Sequence, residues 1–419
     1  MSPTERLCAL FNAAVAAAQP DQRIPEFLPR PPAGRTVVVG AGKSAAAMAR
    51  AVETAWEGEL SGIVVTRYGH GAETQTIEVL EAAHPVPDAQ GMAAAERILQ
   101  TVTPLGKDDL VICLISGGGS ALLTLPPEGI SLEVLADLNQ QLLRSGADIS
   151  EMNGVRKNLS RSSGGRLAAT AYPAQVVSLL ISDVPGDDLR TIASGPTVGD
   201  TVTAQDALQI IQKYGLKVPA AVLSYLEQEP NPVVLPDDPR LSTTTNHLIA
   251  TPQQSLEAAA KLAEDMGYTP LILGGSIEGE ASQVGIVHAG MARQVVQYGQ
   301  PIAPPCILLS GGETTVTVTG ESGKGGRNSE FLLSLAVALN GLSVWAIACD
   351  TDGIDGSEDN AGAIITPTIL QQGRDRGLKA ADFLDRHDSY SFFQAVGALV
   401  ETGPTLTNVN DFRAILIDA

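Results

Sequence analysis

The sequence predicts an α/β fold in which an N-terminal, doubly wound parallel sheet is followed by a smaller C-terminal α/β domain with a mixed sheet. Short apolar runs that read as buried strands alternate with helical stretches along most of the chain. Glycine-rich turns follow several of these runs, as they do where ligands meet the carboxyl ends of parallel strands. With 419 residues the chain is also too long for one hydrophobic core. These observations together indicate at least two domains.

The first half of the chain begins with a predicted helix at 7–18 and a proline-rich connector at 20–32. Buried strands are then predicted at 36–39, 62–66, 77–82, 110–115 and 175–181. Helices are predicted at 45–56, 91–101 and 131–145. Because helices alternate with strands, this sheet is expected to be mostly parallel.

A segment rich in proline, aspartate and threonine at 228–245 is the predicted boundary, which places the domains at 1–240 and 241–419. Strands of the second domain are predicted at 248–250, 270–273, 306–309, 315–319, 344–348 and 414–417. The residues at 315–319 alternate in polarity, as in a strand with one face in solvent. That alternation predicts an antiparallel member and therefore a mixed sheet.

Composition limits the classes of partner. The net charge of -20 and the aromatic content of 4% argue against nucleic acid and against an anionic membrane surface. No apolar run approaches the ~18 residues of a membrane helix. The four cysteines have no paired spacing and three lie in apolar runs, which predicts free thiols, no structural zinc and a cytoplasmic location.

The segment 310–330 has the features of an anion site. Two glycine turns, at 311–312 and 325–326, precede a helix predicted to open at Asn328. A helix start carries unpaired N–H groups and a partial positive charge, and Arg327 adds a fork of donors that fits phosphate or carboxylate oxygens. The alternative is a tight turn beside a surface arginine. A strand followed by Ser-Gly-Gly also occurs at Ser116, which favours the ligand interpretation.

The loop that runs from Gly40 to Ser44 has three possible roles. It is not a P-loop, because the position that requires the first glycine is Val37. It matches the dinucleotide pattern Gly-x-Gly-x-x-Ala, but the next predicted strand ends at Arg67 where an NAD enzyme has a carboxylate. We therefore predict a phosphate-binding loop with Lys43 as a point charge, and keep NADP binding and plain close packing as alternatives.

Two acidic loops follow predicted strands. The loop at 349–360 carries several carboxylates, which repel one another unless a cation or hydrogen-bond donors lie among them. Its spacing is not that of an EF-hand, and a solvated acidic loop is the alternative. The loop at 182–188 brings Asp183 and Asp187 to the end of another strand. Asp183 and Asp352 are the candidate metal ligands.

A series of motifs occurs in order along almost the whole chain and resembles the glycerate 2-kinase family with a C-terminal MOFRL domain. The motifs are Val39 to Ala45, His84-Pro85-Val86-Pro87-Asp88, Ser116 to Leu122, Asn153 to Lys157, Ser182 to Asp188, Ala193 to Thr197, Ser310 to Thr315, Gly323 to Leu333, Cys349 to Gly356 and Thr402-Gly403-Pro404-Thr405. The resemblance implies transfer of the γ-phosphoryl group of ATP to glycerate, with Mg²⁺, between an N-terminal Rossmann-like domain and a smaller C-terminal domain. The product would be 2-phosphoglycerate. Some members of the family carry the label hydroxypyruvate reductase.

The resemblance also transfers functional residues by position. The lysine of the family's first loop corresponds to Lys43, and the arginine of its Gly-Gly-Arg-Asn turn to Arg327. The chain departs from the family pattern at two positions, where Asn158 replaces a histidine and Ser163 a lysine. These departures remove a titratable group and a positive charge.

Roles are assigned on this basis, with ATP and Mg²⁺ as cofactors and glycerate as the substrate of a monomer or homodimer. The catalytic candidates are Lys43, Arg327 and Asp187, and the candidates for binding substrate are Arg156, Ser116 and Asn153. The candidates for binding the nucleotide are the residues of the glycine turns: Gly40, Gly42, Ser44, Gly117, Gly118, Gly311, Gly312, Glu313, Gly325 and Gly326.

Two rival functions stay open at this point. An NADP-dependent hydroxypyruvate reductase would place Arg67 at the 2′-phosphate and use His84 as proton donor. A non-catalytic nucleotide-binding module would need phosphate loops alone, so the carboxylates of Asp187 and Asp352 count against it.

Overall fold

The computed structural model describes residues 1–228, 233–318, 320 and 323–418. The helices are α1 Pro3–Ala17, α2 Pro20–Arg23, α3 Ala45–Ala55, α4 Ala89–Val102, α5 Gly119–Leu122, α6 Leu132–Ser145, α7 Ile149–Asn158, α8 Arg166–Ala171, α9 Ala204–Lys213, α10 Ala220–Leu226, α11 Pro252–Asp265, α12 Ala281–Tyr298, α13 Arg327–Leu339, α14 Ile369–Asp375, α15 Ala380–Leu384 and α16 Ser389–Val396. The strands are β1 Thr36–Ala41, β2 Ser61–Arg67, β3 Ile77–Ala82, β4 Leu110–Ile115, β5 Gln175–Ile181, β6 Thr244–Ala250, β7 Thr269–Gly274, β8 Gly279–Glu280, β9 Cys306–Gly312, β10 Thr314–Thr315, β11 Trp345–Asp350, β12 Gly362–Ile365, β13 Leu399–Val400 and β14 Asp411–Ile417. The chain divides into two compact units.

The first unit, here called the parallel-sheet unit, comprises Arg23–Ser182 and Asp187–Ile249. Its six strands lie in the order β3-β2-β1-β4-β5-β6. The pairings of β1 with β2, β1 with β4, β2 with β3 and β4 with β5 are parallel. Every residue of β1 and β4 is buried, as expected for central strands covered by helices on both faces. The N-terminal half of the predicted fold is therefore confirmed, and the strand order reverses between β1 and β4, which is where such sheets bind ligands.

The second unit, here called the mixed-sheet unit, comprises Met1–Gln22, Asp183–Gly186 and Ala250–Ala419. Its strands lie in the order β13-β12-β11-β14-β9-β7. β7 and β9 are parallel, and the other pairings are antiparallel. Alternate residues of β9 point to opposite faces, Leu308 toward α12 and α13 and Leu309 toward α1 and α11. Both faces of the mixed sheet are thus covered by helices.

The mixed sheet is confirmed, but the strand that was expected to make it mixed is not part of it. The prediction placed a strand at 315–319; the structure has only β10, which pairs in parallel with β8 as a separate ribbon, and residue 319 lies outside the described residues. β10 is short because the N–H and hydroxyl groups of Thr317 donate to the carboxylate of Glu280 instead of to a strand, at 3.1 and 2.8 Å. The antiparallel pairs come from β9, β11, β12, β13 and β14.

The units differ from the predicted domains 1–240 and 241–419 in three respects. The short segment Asp183–Gly186 belongs to the mixed-sheet unit. β6, which was expected to begin the second domain, is the last strand of the parallel sheet. Helix α1 packs in the other unit, where Leu7, Leu10 and Phe11 join a buried cluster with Leu256 and Phe412. A helix's apolar spacing predicts that it covers a sheet, but not which one.

The remaining global expectations concern thiols and membrane helices. All four cysteines are free thiols, and Cys113, Cys306 and Cys349 are buried, as predicted from their apolar surroundings. Among the described residues, no helix has the length and apolar character needed to span a bilayer.

Candidate active site

In the parallel-sheet unit, the backbone N–H groups of the turn after β1 donate hydrogen bonds to other atoms of the protein. The N–H groups of residues 42, 43, 44 and 45 donate to Val65 O, Gly117 O, Ser116 Oγ and Gly42 O at 2.8 to 3.1 Å. A loop that held phosphate through its backbone would leave these groups for the ligand. The turn therefore presents the side chain of Lys43 rather than a cradle of N–H groups.

The two glycines of this turn are explained by close packing. A Cβ at Gly40 would lie 2.3 Å from Leu114 O, and one at Gly42, whose φ is +137°, would lie 2.2 Å from Ser116 Oγ. Ser44 and Ser116 are both fully buried. Gly40, Gly42, Ser44 and Ser116, predicted to bind nucleotide or substrate, thus hold the β1 and β4 loops together in this structure.

At the same edge of the sheet, Lys43 and His84 converge on Gly118. Gly118 has φ +79°, and a Cβ there would lie 2.9 Å from His84 Nε2 and 3.4 Å from Lys43 Cγ. Gly117, the neighbouring candidate, accepts the hydrogen bond from Lys43 N. From the sequence, His84 had a role only as proton donor of the rival reductase, because nothing in the spacing shows that the loops after β3 and β4 meet.

A strained turn near the same loops was also missed as a site. Ala193, Ser194 and Gly195 all have positive φ, at +48°, +61° and +60°. Ser194 Oγ lies 2.8 Å from Ser120 Oγ, so the turn brings two hydroxyl groups together. Left-handed conformations at residues other than glycine are uncommon and gather at functional sites. The Ser194-Gly195-Pro196-Thr197 motif was the available signal.

Asp187 combines backbone strain with an unsatisfied carboxylate. Its φ is +56°, and its Oδ1 is buried without a hydrogen-bond partner among the described residues. A buried carboxylate oxygen that lacks a donor is costly, so it marks a position where a ligand proton or cation would be stabilised. This supports the selection of Asp187 among the catalytic candidates.

Arg156 and Asn153 lie together on α7. Arg156 donates through Nε to Asn139 Oδ1 at 2.8 Å and through Nη1 to Asn153 Oδ1 at 3.5 Å, and burial lowers the pKa of its guanidinium. Asn153 lines a cavity of about 230 Å³ together with Lys157 and Asp200, which form a buried ion pair at 2.5 Å. Arg156 itself is not among the residues lining this cavity.

The departures from the family pattern are accommodated inside the parallel-sheet unit. Asn158 is buried and donates through Nδ2 to Gly154 O and Val202 O, at 2.8 and 3.0 Å. Ser163 is buried too and accepts from Ser160 Oγ at 3.0 Å. Both residues therefore pack α7 and the loop after it rather than face a ligand.

In the mixed-sheet unit, the start of α13 is occupied by a carboxylate of the protein itself. Asp355 accepts hydrogen bonds from Asn328 N and Ser329 N, both at 2.9 Å, and from Ser329 Oγ at 2.6 Å. The sequence predicted that an anion binds at this helix start. In the structure the carboxylate of Asp355 occupies that position. Burial raises the pKa of Asp355.

The glycines of the two turns allow this arrangement. A Cβ at Gly326 would lie 2.3 Å from Asp355 Oδ1, and one at Gly325 would lie 2.4 Å from Ser389 Oγ. Gly312 has φ +119°, and a Cβ there would lie 2.2 Å from Ile277 O. Gly311 accepts through its carbonyl oxygen from the buried side chain of Arg413 at 3.2 Å. These glycines, predicted to bind nucleotide, serve close packing in the structure.

Arg327 is held by three carboxylates. Its Nε donates to Asp411 Oδ1 at 2.7 Å, its Nη1 to Glu313 Oε1 at 2.9 Å and its Nη2 to Asp350 Oδ2 at 2.9 Å. Glu313, predicted to bind nucleotide, is therefore a partner of Arg327. The three bonds use three of the five N–H groups of the guanidinium and fix its orientation.

Asp411 connects Arg327 to the buried side chain of Arg413. Burial opposes its ionisation, but the charges of Arg327 and Arg413 outweigh burial and lower the pKa of Asp411. Its Oδ2 accepts from Arg413 Nη2 at 2.5 Å, and both side chains are fully buried. Nothing in the sequence marks Asp411 or Arg413 as functional, because both lie just before the strand predicted at 414–417.

The two candidate metal ligands both belong to the mixed-sheet unit. Asp183 Oδ2 accepts from Asn408 Nδ2 at 3.1 Å, and Asp352 Oδ1 accepts from Ile354 N at 2.9 Å. Asp352 is buried. Within the described parts of the chain, no group of three or more His, Cys, Asp and Glu side chains is placed to hold a metal ion by itself.

The strand before the Gly311 turn contains a buried histidine contact. His288 Nε2 lies 3.1 Å from Ser310 Oγ, its Nδ1 lies 2.8 Å from Val284 O, and its ring packs edge-on against Phe331. Burial lowers the pKa of His288 to about 4. The folded chain therefore keeps this imidazole neutral.

We expect this histidine to give a pH-dependent contribution to stability. Between the ordinary histidine pKa of about 6.5 and pH 4 the unfolded chain binds a proton that folded His288 does not, so the free energy of unfolding falls by about 3 kcal/mol as the pH is lowered. Urea unfolding at stepped pH should show this decrease in the wild type, and a smaller one in His288→Gln. His247→Gln, in the other unit, is the control; equal slopes for wild type and His288→Gln would contradict the expectation.

Comparison with known proteins agrees with the motif series. Residues 6–227 match a family model described as a domain of unknown function, DUF4147, and residues 306–411 match the MOFRL family. The chain is 53% identical to an Agrobacterium vitis protein that carries the name hydroxypyruvate reductase, over 100% of this chain and 95% of the relative. It is 40% identical to the D-glycerate 2-kinase of Thermotoga maritima, over 97% of each chain.

A solved structure supports the same kinship. The crystal structure of glycerate kinase from Thermotoga maritima superposes with a TM-score of 0.89 at 38% identity, covering 99% of each chain. Fold, motif order and full-length similarity agree. The chain belongs to the glycerate kinase family, with an N-terminal DUF4147 region and a C-terminal MOFRL domain.

Proposed function

We propose that this protein transfers the γ-phosphoryl group of ATP to the 2-hydroxyl of D-glycerate and forms 2-phosphoglycerate. The proposal is supported by full-length similarity to a protein named D-glycerate 2-kinase. The observation that carries it is the turn after β1, where the N–H groups of residues 42 to 45 donate to protein acceptors and Lys43 lies beside His84 and Gly118 at the carboxyl edge of the sheet. A point charge at that edge suits phosphoryl oxygens.

The same observation weighs against the reductase. A dinucleotide fold holds the pyrophosphate on N–H groups at the start of the first helix, and here those of residues 42 to 45 already have protein acceptors. Arg67 at the end of β2 replaces the carboxylate of an NAD enzyme, so this residue counts against NAD but not against NADP. A purely binding module has no use for a carboxylate such as Asp187, which combines a strained backbone with one buried, unpartnered oxygen.

Each proposed residue has a chemical role in the transfer. Arg156 and Asn153 bind the glycerate carboxylate, and Lys43 neutralises charge on the phosphoryl oxygens. The oxygen of the 2-hydroxyl bonds to the γ-phosphorus, the bond from that phosphorus to the β,γ-bridging oxygen breaks, and ADP leaves. Asp187 accepts the proton of the hydroxyl. Arg327 is oriented by Glu313, Asp350 and Asp411. Its guanidinium N–H groups that are not bonded to these carboxylates donate to phosphoryl oxygens. That both units act in one reaction stays a prediction from the sequence.

Mg²⁺ is proposed as the partner of ATP, with Asp183 and Asp352 as candidate ligands. Both supply carboxylate oxygens, the donor type that Mg²⁺ prefers, and Mg²⁺ usually takes only one or two protein carboxylates besides phosphate and water. When bound, Mg²⁺ neutralises phosphate charge. The lack of a three-residue metal cluster among the described residues is compatible with such a site.

Replacing Asp187 tests the proton acceptor. Asp187→Asn keeps the shape and removes the charge, so we expect kcat to fall by about 10²- to 10⁴-fold. The melting temperature should hold or rise, because an unpartnered buried oxygen no longer carries charge. Asp237→Asn, an exposed aspartate of the same unit, is the control. Unchanged kcat in Asp187→Asn would exclude the role.

A paired assay distinguishes the kinase from the reductase. ADP release should require D-glycerate and a divalent cation and should stop in excess EDTA, while NADPH with hydroxypyruvate should give no oxidation. Full ADP release in EDTA would contradict the Mg²⁺ requirement. NADPH turnover without ATP would contradict the kinase.

A further inference from the structure

The parallel-sheet unit contains a second cavity that shares no lining residue with the proposed catalytic or glycerate-binding groups. It has a volume of about 380 Å³ and lies between α4, α8, α10 and the turn at Pro239–Leu241. Its polar lining comes from Glu96, Gln100, Thr103, Arg161, Arg166, Thr170, Tyr225 and Arg240. This volume falls in the range of small-molecule sites.

Arg166 is the unusual residue of this cavity. It is only 9% exposed, and its Nη1 donates to Lys157 O and Ser163 O at 2.7 and 3.1 Å. Its other terminal nitrogen, Nη2, is buried and has no hydrogen-bond partner among the described residues. Burial lowers the pKa of the guanidinium, so its charge is held away from water. A buried charged donor without an acceptor is strongly unfavourable unless a ligand supplies one.

The charges around the cavity are paired with residues other than Arg166, and Asp200, which acts on the charge of Arg166 from a distance, is itself paired with Lys157 at 2.5 Å. Arg161 pairs with Glu96 at 2.7 Å, and Arg240 pairs with Asp238 at 2.6 Å. No carboxylate of the described chain lies within salt-bridge distance of Arg166; its nearest acceptors are neutral carbonyl oxygens. The cavity therefore carries an excess positive charge in a protein whose net charge is -20.

We propose that this cavity, here called the Arg166 cavity, binds a small organic anion through its phosphate or carboxylate group. The anion accepts hydrogen bonds from Arg166 Nη2 and from the neighbouring arginines, for which a forked guanidinium is well suited. The hydroxyl groups of Thr170 and Tyr225 add polar contacts, and Leu99, Ala169 and Val234 give the cavity an apolar wall for the carbon skeleton. The site does not depend on the proposed kinase activity.

Calorimetric titration of the full chain with inorganic phosphate, and separately with malonate, tests the site and tells the two anion types apart. At least one should bind saturably and raise the melting temperature. Arg166→Lys keeps the charge and loses the fork, and should weaken binding about tenfold or more. Gln100→Glu places a carboxylate in the cavity from the exposed side of α4 without changing the core, and should weaken binding at least as much.

Two controls keep the result specific. Gln90→Glu makes the same chemical change on the same helix outside the cavity, and should bind as the wild type does. Lys43→Ala should also keep the binding, because it alters only the proposed catalytic group. The proposal is overturned if neither anion binds saturably, if Gln100→Glu binds normally, or if Lys43→Ala abolishes binding and so places the anion at the catalytic lysine.

Discussion

Replacing Arg327 by alanine is expected to destabilise the mixed-sheet unit by about 3–5 kcal/mol, because two buried carboxylates each lose a charged hydrogen-bond donor. Asp411 is fully buried and Asp350 nearly so, and each loses a bond of 2.7 or 2.9 Å. Glu313 is half exposed and should be affected least. Chemical denaturation is the measurement, with Arg376→Ala, a surface arginine of the same unit, as the control.

The same substitution should also lower turnover, and Arg327→Lys separates the two effects. Lysine keeps the charge, so part of the stability should return, but it cannot reach three carboxylates in a fixed plane, so turnover should stay low. If Arg327→Ala unfolds at the same denaturant concentration as the wild type, the carboxylates do not depend on Arg327 and the proposed network is wrong. Normal kcat in a folded Arg327→Lys would remove Arg327 from the reaction.

Lys43→Ala is expected to have the opposite profile, a large loss of turnover with little change in stability. Removing one preorganised charge from a phosphoryl site lowers kcat by about 10²- to 10³-fold. Stability should change by less than about 0.5 kcal/mol, because the backbone hydrogen bonds of the turn and the hydroxyl of Ser116 hold the turn in place. Because a lysine at this edge also binds the resting nucleotide, KM for ATP should rise as kcat falls.

The matched control for Lys43→Ala is Lys107→Ala, an exposed lysine of the same unit. Steady-state kinetics and thermal unfolding of both variants give the comparison. A loss of stability as large as the loss of activity would show that Lys43 supports the fold instead of contacting phosphate.

The sequence predicted the elements better than their partners. Buried strands such as 110–115 and 175–181 coincide with β4 and β5, because continuous apolar runs between turns have few other solutions in an α/β fold. β6 and α1 were assigned to the wrong neighbours, since period and composition specify which face is apolar but not which sheet it covers.

At the start of α13, too, the sequence predicted the kind of interaction but not the partner. Its glycines and its position predicted an anion, and an anion is present, but Asp355 supplies it from a loop far along the chain. Arg327 likewise meets Glu313, Asp350 and Asp411, which the fold brings from three separate strands or turns. The local sequence predicts which kind of partner a donor such as Arg327 or a helix start attracts. The tertiary fold decides whether that partner is a side chain of the protein or a ligand.

The most direct test of the proposed function is phosphorus NMR of the product formed from D-glycerate, ATP and Mg²⁺. The account predicts a new phosphate monoester whose phosphorus couples to the single proton on C2, as in 2-phosphoglycerate. Coupling to the two protons on C3, or no phosphorylated glycerate while NADPH and hydroxypyruvate react, would contradict it.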